Sequence, residues 1–212
     1  MAKLHDEHVD STRRALLDAA RRRFGASGFG ATTLDQVVAD ARVTKGALYH
    51  HFGSKEQLFL KVYDEVEGEL SARAMEAAAV ATDPVEAIQR GFAAFLDLAL
   101  DPVVQRIALL DAPSVLGTAA KLEVDARHSL AAVRAAVEIG MAEGRLTPLD
   151  PGALAQLLIA ACSQAALLIA TADDPVAARA DAGAALDRII TGLVPDADRG
   201  PGSPGLSVTR RG

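Results

Sequence analysis

Apolar positions recur along this chain at three- and four-residue spacing, and alternating runs of the strand kind are nearly absent. Leu16, Ala19, Ala20 and Phe24 share one side of a helix predicted over residues 11–27. Asp10 or Ser11 can cap that helix, and Gly25 and Gly28 weaken its end. Thr33 with Gln36 reads as a capping box opening a short helix over 33–40, and Thr44 can cap a second over 44–50. A further box, Ser54 to Gln57, opens a long helix over 55–80. Beyond it the punctuation is Asp-Pro: Asp83-Pro84, Asp101-Pro102, Asp150-Pro151 and Asp174-Pro175. Aspartate accepts from free N–H groups at a helix start, and proline is tolerated at the first helical position. Helices are thus predicted over 84–99, 102–111, 119–143, 151–172 and 175–193, with Pro113 ending the second and Gly144 closing the third. From Pro195 glycine, proline, serine and aspartate dominate, which predicts a disordered tail.

The pattern implies an all-α fold. Residues 1–54 read as a three-helix helix-turn-helix domain, 55–194 as a larger helical domain and 195–212 as the tail. Composition agrees with that reading. Half the residues are apolar, only 4% are aromatic and tryptophan is absent, so the helices are expected to pack closely through Ala, Leu and Val. The single cysteine, Cys162, excludes an intramolecular disulfide framework and fits a cytoplasmic location. No run is read as reaching the about 18 uncharged apolar residues that span a bilayer, and Met1 to Asp10 lacks an apolar leader. No membrane partner is expected.

Charge changes the picture. The net charge is −6, yet residues 1–63 hold ten Lys/Arg against seven Asp/Glu, and residues 64–212 hold twelve against twenty-one. A basic quarter on an acidic body suggests a nucleic-acid module; ordinary variation over a short window is the alternative.

The informative stretch is TTLDQVVADARVTKGALYHHFGSKEQLF, residues 32–59. Val37, Val38 and Ala41 can face inward from the first short helix, Val43 from the turn and Leu48 from the second. Two helices locked by a tight turn make a helix-turn-helix, whose second helix enters the major groove. Thr44, Lys45, Gly46 and Ala47 stand at the start of that helix. The small Gly46 and Ala47 allow close approach, Ala47 suits a thymine methyl and Lys45 reaches guanine O6 and N7. Tyr49, His50 and His51 can donate to phosphates at its far end, and Lys55 can do so from the start of the next helix.

The run Thr33-x-x-x-Val37, then Ala41-x-Val43-Thr44-x-Gly46-Ala47-Leu48-Tyr49-x-His51-Phe52-x-Ser54-Lys55-Glu56-x-Leu58-Phe59, resembles the signature of the tetracycline-repressor (TetR) family. Arg42 departs from it, standing where the family usually has glycine. A non-glycine residue there has to take φ > 0, and it sets a charge near the DNA. The resemblance implies a small DNA-binding domain on a helical domain that dimerises and binds a small molecule. It implies phosphate contacts at Thr33 and Lys55, base contacts near Lys45, Gly46 and Ala47, and backbone contacts near Tyr49, His50 and His51. The partners it implies are a palindromic double-stranded operator, an effector and a second copy of the chain. It also makes repression the expected activity.

Beyond residue 60 the resemblance is architectural. The last two predicted helices are apolar over much of their surface, and in this fold they resemble the pair that forms a four-helix dimer interface. Leu157, Ala161, Ala165, Leu168, Ala182, Ala185, Leu186 and Ile189 are its candidates; the alternative puts both helices in the monomer core. Phe92, Phe95, Leu96, Leu109, Val133, Val137, Met141 and Gln164 are candidates for lining a ligand pocket, each of which plain core packing also explains. Gln164 is a polar amide in an apolar helix and needs a partner, which a ligand or the dimer can supply. The expected ligand is apolar or amphipathic.

Two rival classes are weighed. An enzyme is disfavoured: His50 and His51 point about 100° apart on a helix and cannot chelate from one face. Asp125 and His128 lack a third ligand at fixed spacing and read as a surface pair. Cys162 reads as a buried, inert thiol, and the motifs of hydrolases, P-loops and dinucleotide sites are missing. No catalytic residue, metal ligand or cofactor is therefore assigned. The run Arg21-Arg22-Arg23 reads as a solvated face, within reach of phosphates. The second rival, a helical interaction module without DNA binding, is disfavoured by Lys45 and Lys55 beside Tyr49.

Overall fold

A computed structural model describes residues 2–195, with side chains from residue 10 onward. All but the first residue of the expected tail lies outside the described residues. Among these every regular element is helical: α1 Ala2–Ala31, α2 Leu34–Ala41, α3 Lys45–Phe52, α4 Lys55–Ala78, α5 Pro84–Leu98, α6 Pro102–Val104, α7 Ala112–Asp125, α8 Ala131–Ala142, α9 Pro151–Thr171 and α10 Pro175–Thr191. Two π-helical segments, Gln105–Asp111 and Ala126–Leu130, join α6 to α7 and α7 to α8.

The local signals act as their chemistry requires. Asp83, Asp101, Asp150 and Asp174 each accept from backbone N–H groups at the start of α5, α6, α9 and α10, with proline in the first turn. Gly144 follows α8 at φ 70°, the left-handed conformation that closes a helix.

Three expectations need correction. α1 begins well before Asp10, runs through Gly25 and kinks at Gly28, at φ 78° and ψ 167°. Pro113 does not end a helix. The preceding turns are π-helical, with the Ala112 N–H bonded to the Ile107 carbonyl. That wider turn makes room for a proline ring that clashes with the carbonyl four residues back in an α-helix. The chain breaks instead at Gly117, at φ 74° and ψ 165°. Finally, α9 is a run of 21 residues without Asp, Glu, Lys or Arg, long and apolar enough to cross a bilayer. Gln156, Ser163 and Gln164 mask that run in the sequence. Here α9 packs along α10, α8 and α5 and buries Leu154, Leu158, Cys162, Ala166 and Ile169 on that side.

The long α4 ties the molecule together. Its first turns bury Leu58 and Phe59 against Leu16, Phe24, Leu48 and Phe52, forming the head with α1–α3. Its later turns pack on α5 and α7, forming one wall of the body.

Candidate nucleic-acid interface and effector cavity

The head is built so that α3 is presented rigidly. Thr33 Oγ1 accepts from the Gln36 N–H at 3.2 Å, and the Gln36 side chain accepts from the Thr33 N–H at 2.8 Å. Both halves of the capping box are present. The turn passes through Arg42 at φ 56°, ψ 39°; it is the one non-glycine residue at positive φ among the described residues. Thr44 Oγ1 then accepts from the Ala47 N–H at 3.2 Å to start α3. Behind the turn lie Val37 and Leu48, both fully buried. Phe24, Phe29 and Phe59 form an aromatic cluster, with Phe59 edge-on to each of the others at 5.2 Å.

What this leaves outside is the surface predicted for DNA. Thr33, Arg42, Thr44, Lys45, Gly46, Tyr49 and His50 are exposed, while Ala47, His51 and Lys55 are half-buried. Tyr49 is 48% exposed, a large aromatic ring left in water by a helix that buries Leu48 and Phe52. Lys45 pairs with Asp35 at 2.8 Å across the motif. Both partners are exposed, so exchanging Asp35 for a phosphate or base costs little. Lys55 differs from its expected open position. Its ammonium donates to the Phe29 carbonyl at 2.5 Å and lies 4.1 Å from the Phe29 ring centroid. That bond uses one of three donors. The arginine run is not simply a solvated face either. Arg21 pairs with Glu69 of α4, and Arg23 holds Asp40 of α2 through two bonds at 2.6 and 2.8 Å.

Head and body meet at the kink in α1. The Phe29 N–H donates to Asp111 Oδ2 at 2.6 Å, while Lys55 takes the Phe29 carbonyl. Gly28 lies against the Arg106 guanidinium, and its φ of 78° is what calls for glycine. Asp111 belongs to the π-helical segment whose Leu109 lines the body's cavity. The sequence carried no signal for Asp111, because its partner lies 82 residues away.

The body holds a mostly apolar cavity of about 1190 Å³ between α4, α5, α7, α8 and α9, open to the surface beside the exposed Leu122 and Leu157 and ample for a drug-sized ligand. Of the expected lining residues, Phe92, Phe95, Leu109, Val133 and Gln164 border it. Leu96, Val137 and Met141 do not. Leu96 turns toward α10 beside Arg179 and Gly183. Val137 is fully buried on the other side of α8, and Met141 packs on the core beyond the cavity's end. Cys162 borders the cavity and is otherwise buried, which pushes its thiol up to about 12.

Beside the cavity, between α4, α7 and the following π-helical segment, sits a polar cluster that sequence reading missed. Tyr63 donates to Asp125 Oδ1, and Lys121 donates to Asp125 Oδ2 at 2.6 Å. His128 Nε2 lies 2.9 Å from Asp64, and Ser71 donates to the His128 carbonyl at 2.6 Å. Asp125 and His128 are therefore not a surface pair: each ties its segment to α4. Glu67 is 5% exposed and borders the cavity. Burial, reinforced by Asp125, pushes its carboxyl up to about 7. Among the described residues no His, Cys, Asp and Glu cluster of metal-binding kind occurs.

The dimer candidates divide. Leu157, Leu168 and Ile189 are each more than half exposed, and Ala185 is exposed. Ala161 and Ala182 are half-buried. Ala165 and Leu186 belong to the chain's own core. They fall on the helix faces of Leu158 and Ile169, and of Gly183 and Ile190, which α9 and α10 turn inward.

Residues 16–62 match the model of bacterial regulatory proteins of the tetR family, and residues 85–193 match the tetracyclin-repressor-like C-terminal domain, half of the chain by itself. The chain belongs to the TetR family. A crystal structure of a TetR-family transcriptional regulator from Pectobacterium atrosepticum is 34% identical. It superposes with a TM-score of 0.79, over 89% of this chain and 96% of that one. The uncharacterized HTH-type transcriptional regulator YhgD of Bacillus subtilis is 30% identical over 66% of this chain and 74% of its own. The Tn10 TetC protein of Escherichia coli is 28% identical over 72% and 77%. This TetR-family chain is thus a helix-turn-helix, DNA-binding transcriptional regulator with an N-terminal reading head and a larger C-terminal helical domain.

Proposed function

We propose that the chain acts in the cytoplasm as a two-fold dimer that represses transcription from a palindromic operator, and that a small molecule in the cavity releases it. The observation that carries the reading is the exposed row Thr44, Lys45, Gly46 and Tyr49 on a helix whose own core and caps hold it still. In this reading residues 1–54 are the DNA-binding unit and 55–194 the effector and dimer unit. Lys45 and Ala47 meet base edges. Thr33, Arg42, Tyr49, His50, His51 and the remaining donors of Lys55 meet phosphates. Leu157, Leu168, Ala185 and Ile189 supply the apolar face that a second copy covers, which sets two recognition helices one DNA turn apart.

Release follows from linkage. An effector that fits one arrangement of the cavity walls better than the other shifts the population toward it. Leu109 lines the cavity and Asp111 holds Phe29, so a shift of that segment pulls directly on the head.

Fluorescence anisotropy on duplex from the gene's own upstream region, across a salt series, tests the reading. Tight binding that weakens steeply with salt and is lost in a Lys45→Ala, Tyr49→Ala double variant is the expected result. Equal affinity of both proteins for operator and random duplex would remove the assignment of α3 as the reader.

A further inference from the structure

The cavity is mostly apolar, with an acidic patch where α4 and α7 line it. Besides the Cys162 thiol, four ionisable side chains border it: Glu67, Lys121, Glu123 and Asp125. Lys121 is committed to Asp125, and that pair is well shielded, at 20% and 13% side-chain exposure. Asp125 therefore already has two donors, Lys121 on one oxygen and the Tyr63 hydroxyl on the other. Tyr63 has a single hydroxyl proton, which it shares between Asp125 and Glu67. Ser71, the nearest other hydroxyl on α4, spends its proton on the His128 carbonyl. Glu67 is left as a carboxyl nine-tenths buried at the cavity wall, with no cation of its own among the described residues.

We propose that the cavity selects molecules with an apolar body and a protonated amine head, and that Glu67 is the residue that receives the head. The proposal rests on the reading of the cavity as the effector site. With all four groups ionised the lining carries a surplus of two negative charges, one of them on Glu67. A cationic head supplies the counter-charge that burial denies that residue. An anionic head meets Glu67 and Asp125 with no free cation to offset them. A neutral hydroxyl head gains one hydrogen bond and leaves the buried carboxylate uncompensated. The groups facing Glu67 are Tyr63 on its own helix, Asp125 and Lys121 from α7 and His128 from the π-helical segment. A bound ammonium also favours the ionised form of Glu67, so binding releases a proton near neutral pH and tightens as pH rises from 6 to 8. The ammonium would compete with the Tyr63 hydroxyl for Glu67, and Tyr63 lies one turn beyond Phe59 of the DNA-reading head's aromatic cluster.

Calorimetry of the full chain with three matched probes tests this: 4-phenylbutylamine, 4-phenylbutanol and 4-phenylbutyrate. The amine is expected to bind wild type at pH 8 at least about tenfold more tightly than the alcohol, with the acid weakest. Glu67→Gln should erase the preference while the alcohol's affinity stays within about twofold. Titration of wild type in two buffers of different ionisation enthalpy should report release of up to one proton at pH 7, a readout independent of how the variant folds. Equal affinity for amine and alcohol, or no proton release, overturns the assignment of Glu67 while leaving the cavity as the effector site. Binding of none of the three, or binding undiminished in a cavity-filling Ala136→Phe variant, overturns the cavity reading and this proposal with it.

Discussion

The two ends of α4 lie in different kinds of interior. Its first turns enter the head, where Phe24, Phe59 and Leu48 are fully buried and two ion pairs, Arg23–Asp40 and Arg21–Glu69, fasten the helices to one another. Its later turns form a wall of a cavity of about 1190 Å³. The head is solid because a reading surface must present fixed spacings to the DNA. The body is hollow, so the side chains on the cavity walls lack packing partners on that side. A protein that reads DNA at one end and responds at the other needs both.

That contrast can be broken by mutation. The largest effect is expected in the head: Phe59→Ala removes the ring shared by two aromatic contacts and should cost about 3–5 kcal/mol in urea unfolding. Phe95→Ala, on the half-buried cavity wall, should cost less than about half as much, since the space it leaves joins space already empty. Comparable losses would mean that the body is as tightly packed as the head.

Glu67 sharpens the comparison, because only a hollow body tolerates a buried carboxyl without its own cation. The folded chain keeps this proton up to about pH 7, whereas the unfolded chain gives it up near 4.5. Between those values the unfolded state binds fewer protons, so the residue's contribution to stability falls as pH rises and levels off above 7. Glu67→Gln cannot ionise. It should match wild type near pH 4 and exceed it by roughly 3 kcal/mol at pH 8, read from denaturation at both pH values. A constant difference across that range would remove the shifted carboxyl.

Overpacking gives the next effect. Ala20→Leu in the head, where the alanine is fully buried, should destabilise by about 1–3 kcal/mol. Ala136→Leu at the cavity should fall within about 0.5 kcal/mol of wild type. A modest gain is expected at Arg42. Arg42→Gly relieves the left-handed backbone and should stabilise the head by about 1 kcal/mol. Under the proposed phosphate contact it should also lower the salt slope of DNA binding by about 1. Stabilisation without a change in slope would leave Arg42 as a turn residue only.

What was legible follows the reach of each interaction. The caps at Thr33, Thr44, Ser54 and the four Asp-Pro pairs act within three residues, and all were readable. The positive φ of Arg42 followed from the family resemblance, in which glycine usually stands at that turn position. Misreadings came where a local rule met a tertiary option. Proline at 113 should stop a helix, but a π-turn absorbed it. Asp125 and His128 looked isolated because their partners on α4 are more than 60 residues away. Leu96 and Val137 are as apolar as Phe92 and Val133, and only the rotation of α5 and α8 decides which pair meets the cavity.

By itself, then, the amino-acid sequence determined the all-helical class, the capped helix starts and the reading motif, since periodicity, capping and turn chemistry operate over one or two turns of chain. The tertiary structure alone decided that the body is hollow, that Glu67 is buried at the wall of its cavity and that Asp111 reaches back to Phe29. Those facts depend on how helices distant in sequence are rotated and spaced, and no interaction short enough to be written in neighbouring residues sets them.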